Sequence, residues 1–74
     1  MRQVYVLRYK YPNMVEAFES YDDAMDAGVE FITKMCKCNG WSEDEINDEV
    51  SAFVKYKNCE VVEFYRCNVE EAHQ

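Results

Sequence analysis

Glycine and proline are nearly missing from this chain of 74 residues, with two of the first and one of the second. So few flexible or breaking residues argue against disorder over most of the length. Long apolar runs are missing too. No stretch approaches the roughly 18 residues needed to span a bilayer. The start, Met1 to Arg8, has no signal-peptide apolar core, because Arg8 and Lys10 interrupt it. These features predict an intracellular, cytoplasmic protein without a membrane segment. Histidine occurs once, as His73 close to the C-terminus, where the fixed geometry of a general base is hard to hold. Neither glycine sits in a phosphate-binding loop, and no serine sits in a nucleophile elbow. Enzymatic chemistry is therefore not expected, and no cofactor is implied.

Hydrophobic residues make up 49% of the chain and aromatics 15%, so one core is within reach of a single small domain, 1–74. The four cysteines, Cys36, Cys38, Cys59 and Cys67, lack the paired C-x-x-C spacing of a zinc ribbon. On one strand, Cys59 and Cys67 would lie about 26 Å apart, too far for one metal ion. Reduced thiols are expected. A disulfide from Cys59 to Cys36 or Cys38 remains the alternative, and no metal site is predicted.

Residues 4 to 11 alternate as a strand, with Tyr5, Leu7, Tyr9 and Tyr11 on one face and Val4, Val6, Arg8 and Lys10 on the other. Pro12-Asn13 supplies a turn, and Met14 to Glu19 returns as a hairpin partner. Ser20 caps a first helix that ends at Asn39-Gly40, with Asp23 completing a weak capping box. The small residues Ala24, Ala27 and Gly28 are expected to let this helix approach the sheet closely. Ser42-Glu43-Asp44-Glu45 is a full capping box for a second helix, with Trp41 and Ile46 as a hydrophobic staple. That helix fades at Lys55 to Asn58. Cys59 to Cys67 reads as a third strand whose buried face is ambiguous. Asn68 to Gln74 reads as a polar tail, with 69–74 expected to fray. The fold class is α+β in the order ββααβ: a three-stranded sheet, first strand central, with two helices packed on one face. The uncovered face is either solvated or a surface for a partner or a homodimer.

Charge is the unusual feature. Fifteen acidic residues face eight basic ones, a net −7. Residues 21 to 50 hold nine acids against Lys34 and Lys37, which is −7. Residues 1 to 20 carry +1 and residues 51 to 74 carry −1. Such a chain is repelled by nucleic acid and anionic membranes and attracted to basic protein surfaces. Part of the acidity is helix-start chemistry, where the dipole favours carboxylates. What remains is Asp22, Asp26 and Glu30, spaced i, i+4, i+8 along one helix, with Asp48 and Glu49 on the next. Few lysines or arginines alternate with them, as they do on an ordinary exposed face. A row of carboxylates can imitate nucleic-acid phosphates and dock onto a basic groove.

In length, acidity, hairpin-then-helix layout and the row Asp22, Asp26, Glu30, the chain resembles small acidic inhibitors encoded by bacteriophages and mobile elements. The anti-CRISPR proteins are among these. The resemblance implies a nucleic-acid mimic that blocks a basic site of a host protein, without direct nucleic-acid binding and without a cofactor. The candidate partner-binding residues are Asp22, Asp26, Glu30, Asp48 and Glu49. A second expectation is a structural or assembly protein that oligomerises through its open sheet face or edge strand.

Overall fold

The structure is a computed structural model that describes residues 2–10 and 13–69. Its elements run β1 (Arg2–Lys10), β2 (Asn13–Phe18), α1 (Tyr21–Cys38), α2 (Glu43–Tyr56) and β3 (Val62–Val69). The sheet order is β2-β1-β3, antiparallel throughout. This is the expected ββααβ α+β fold with the first strand in the middle. Tyr11, Pro12 and residues 70–74, with His73, lie outside the described residues, so the turn and most of the expected tail do too.

Period-two alternation decides the faces of β1. Leu7 and Tyr9 are buried under the helices, while Arg8 on the other face is exposed. Leu7 stands opposite Glu16 on β2 and Phe64 on β3, so one row of side chains crosses the whole sheet. The ambiguity in β3 resolves through this register. Val62 and Phe64 face the helices; Glu63, Tyr65 and Cys67 face away.

The third strand starts later than expected and ends later. Cys59 is not in it. Its N–H donates to the Val62 carbonyl at 3.0 Å, closing a tight reversal over Glu60 and Val61. Lys57, in the left-handed region at φ 60°, stops α2 just before. At the other end Asn68 and Val69 pair with Gln3 and Arg2, so the strand covers residues first read as tail. Ladder pairing with a long β1 outweighs their polar composition.

Both helix starts form as their sequences dictate. The Ser20 hydroxyl accepts from the Asp23 N–H. Ser42 and Glu45 form the reciprocal capping box, at 3.2 and 2.9 Å. Gly40, at φ 80°, lets the chain leave α1. The helices cover the sheet through Leu7, Ile32, Cys36, Phe53 and Val62, all essentially without solvent exposure. Gly28 departs from expectation. A Cβ there would lie 2.5 Å from Phe53 Cε2, so the close approach it permits is to α2, not to the sheet. No helix among the described residues is long and apolar enough to cross a membrane.

Candidate interaction surface

The buried side of α1 is Ala24, Gly28, Ile32 and Cys36, one residue per turn. Asp22, Asp26 and Glu30 precede Ala24, Gly28 and Ile32 by two positions, which turns them about 200° around the axis. The acidic row therefore points away from the core, and all three are exposed. Steps of four residues separate the carboxylates by about 6 Å along the helix. Glu30 is not free: Lys34 Nζ donates to its Oε1 at 2.6 Å and holds its carboxyl below the usual range.

On α2 the two candidate acids separate. Asp48 is exposed and lies about 140° around the axis from buried Phe53. Glu49 is one turn before Phe53, on the same side, and is half-buried. Its Oε2 has lost contact with solvent, and its carboxylate lies beside the Cys59 thiol. The charge of Glu49 bears on Cys36 and Cys59, the two buried thiols, rather than on the outer surface. The structure thus brings Asp22 and Asp26 together with Glu30 on one helix, leaves Asp48 on the other, and turns Glu49 inward.

The packing of Gly28 on Phe53 fixes the helix register. The two helices run antiparallel, with Lys57 Nζ 5.8 Å above the Tyr21 ring where the start of α1 meets the end of α2. Counted from the Gly28–Phe53 contact, Asp48 sits level with Thr33. It is about 10 Å along the axis from Asp26 at 1.5 Å per residue. Between the helices runs a groove with Val29, Thr33 and Lys37 on one wall and Glu43, Ile46, Asn47 and Val50 on the other. Asp22, Asp26 and Glu30 stand on one helix and Asp48 alone on the other, not in one continuous row.

Three of the basic residues are committed to the sheet. On the open side of the sheet, Arg2 pairs with Glu19 at 3.1 Å, and Arg8 and Lys10 share Glu63 at 3.7 and 3.3 Å. These pairs hold the Glu63 carboxyl below its usual range, with the Tyr65 hydroxyl and Lys10 as the leading donors. Register explains the cluster, since Arg8 stands directly opposite Glu63. Among the described residues no ion pair reaches Asp22, Asp23, Asp26, Glu43, Asp44 or Asp48.

Burial shifts two thiols and one phenol. Burial pushes the Cys36 thiol up, and Glu49, Glu60 and Glu45 add to the effect. Burial also raises Cys59, against hydrogen bonds to the Val61 and Val62 backbone. Burial and the hydrogen bond to Glu16, at 2.6 Å, raise Tyr9 far above the usual phenol range. All four cysteines are free thiols, Cys38 and Cys67 being exposed. Among the described residues no group of three or more His, Cys, Asp and Glu is placed to hold a metal ion. A cleft at the end of α1 is lined by Lys10, Cys36, Asn39, Trp41 and Glu60.

Sequence reasoning missed one residue of consequence and put another on the wrong side of its helix. Glu63 organises the cations of the open sheet face, and only the strand register reveals it. Glu49 had a usable signal: three residues after Ile46 and four before Phe53, it lies on the apolar stripe of α2.

No family model matches the chain, no curated protein matches it in sequence, and no solved structure matches it in fold.

Proposed function

We propose that this chain is a non-enzymatic acidic binding protein whose helical face occupies a basic surface on a nucleic-acid-binding host protein and inhibits it, as phage-type inhibitors do. One observation carries the reading. Asp22 and Asp26 stand exposed, opposite the core, with no cation of their own, while the cations of the sheet side are held by Glu19 and Glu63. An acidic surface that its own chain does not neutralise is matched by a basic one on a partner. Asp48 extends the contact across the interhelical groove, and Glu30 contributes less because Lys34 already holds it. Glu49 leaves the contact set. The partner is a protein; nucleic acid and membranes are repelled, no cofactor takes part, and the setting is the cytoplasm, the host's if the chain is phage-encoded. Commitment of Ser20 and Ser42 to helix caps, and the raised buried thiols, support a role without catalysis.

The test is affinity capture of partners from host lysate, followed by binding to whichever purified protein is captured. Asp22→Lys, Asp26→Lys and Asp48→Lys together should abolish binding while circular dichroism remains that of the folded chain. Wild-type affinity should fall about tenfold or more as salt rises from low to moderate ionic strength. A folded triple variant that keeps every partner would sink the proposal.

A further inference from the structure

The sheet face turned away from the helices is an unpartnered surface with a specific charge plan. Register places Ala17, Val6 and Tyr65 in one row across the three strands, with Val4 beside Cys67 in the next. Tyr65 is 43% exposed and Val15, on the same face, 63%. Ion pairs bound this apolar centre at both ends: Arg2 with Glu19 at one, Arg8 and Lys10 with Glu63 at the other. The face therefore holds three cations and two acids, a net +1. With −7 for the whole chain, everything else carries −8.

That division selects the occupant. A strongly charged partner gains little here, because each charge already has a neighbour of opposite sign. Two copies of the chain repel each other through the helical side. Face to face across the sheet that repulsion is weakest, since the acidic helices then point to opposite outer sides. Strands of nine, six and eight residues, about 4.8 Å apart and about 3.3 Å per residue, offer a flat area of roughly 360 Å² per copy, and interdigitating side chains enlarge it. This falls short of the roughly 800 Å² per partner of a standard interface and suits weak, reversible pairing. We infer that the open sheet face packs against the same face of a second copy, forming a reversible homodimer that displays an acidic helical layer on each side. Salt tightens it by screening the repulsion between the two acidic bodies, opposite to its effect on acidic docking.

Two exposed thiols make the test internal. Cys67 lies on the open sheet face and Cys38 at the end of α1. Alkylation of the reduced chain is followed from about 1 µM to about 1 mM protein, a range wide enough to reveal weak, reversible pairing. Cys67 should become at least fivefold slower to react as concentration rises, while Cys38 keeps its rate. Sedimentation equilibrium should show dimer over the same range. Ala17→Lys, at an exposed position in the central row, should weaken the dimer at least tenfold, whereas Asp22→Lys with Asp26→Lys should not weaken it. A chain that sediments as monomer throughout overturns the inference. So do equal protection of both thiols and an Ala17→Lys variant that dimerises as well as wild type.

Discussion

Replacing Gly28 with alanine pits helix propensity against packing, and the geometry decides the sign. In an exposed helix interior the change stabilises by about 1 kcal/mol, because glycine loses more backbone entropy on folding. At Gly28 the added methyl would sit 2.5 Å from Phe53 Cε2 and 3.3 Å from Cε1. The Phe53 ring is fully buried, so it cannot swing into solvent. Overpacking of this kind costs about 1–3 kcal/mol. The expected net is a loss of about 1 kcal/mol, measured by urea unfolding at constant m-value. A double-mutant cycle isolates the cause. Phe53→Leu removes the ring edge, so Gly28→Ala should become neutral or stabilising in that background, with a coupling of about 1–2 kcal/mol. Should Gly28→Ala stabilise the wild type by the full propensity gain, the claim that this glycine exists to seat Phe53 is refuted.

Three further outcomes follow from individual contacts. Ser42→Ala breaks both hydrogen bonds of the capping box and should cost about 1 kcal/mol by thermal or urea unfolding; Ser42→Asp should recover most of it. Glu63→Gln should flatten the acid limb of stability. The folded Glu63 carboxyl is depressed, so its contribution is present above the unfolded carboxylate value and lost as pH falls through the folded one. Below that window the variant and wild type should unfold alike, and an unchanged pH profile would refute the assignment. Glu49→Gln should stabilise by up to about 1 kcal/mol, because a carboxylate with one oxygen shut off from solvent is costly. It should also ease ionisation of Cys36 and Cys59, which Glu49 opposes, seen as faster reaction of the buried thiols with a small alkylating agent at alkaline pH. Slower reaction would contradict the placement.

Where one local rule governs, the sequence is legible. Alternation over Val4 to Lys10 assigns the faces of β1, and Ser-x-x-Glu at Ser42 locates the second helix start to the residue. The ββααβ order follows from those elements and their punctuation. The reversal at Cys59 to Val62 escapes because it contains neither glycine nor proline, and its valines read as strand. Lys57 adopts φ 60° without the residue type that usually marks it. The purpose of Gly28 is hidden because a small residue announces close approach but not to what. In the acidic site, Asp22, Asp26 and Asp48 are legible from spacing. Glu49 was grouped with Asp48 by adjacency, although neighbours on a helix stand about 100° apart.

The same register logic explains why charge is spent on one side and left over on the other. In an antiparallel pair the residues directly opposite are nearest neighbours, so a strand cation finds a partner wherever the facing strand supplies an acid, as Arg8 finds Glu63. On a helix the nearest neighbours are four residues away, and along Asp22, Asp26 and Glu30 they have the same sign. Each such pair opposes the helix by about 0.2–0.5 kcal/mol. The segment is helical regardless because Ala24, Gly28, Ile32 and Cys36 are buried on its other side, and burying a large apolar side chain such as Ile32 contributes about 1.5–3 kcal/mol. Tertiary packing thus holds three like charges in line against their repulsion. A basic surface that docks on them relieves that repulsion as well as forming new ion pairs. The relief, up to about 0.5 kcal/mol for the Asp22–Asp26 pair, adds to binding without adding a contact. It is absent for a partner approaching the sheet side, where every acid is already neutralised.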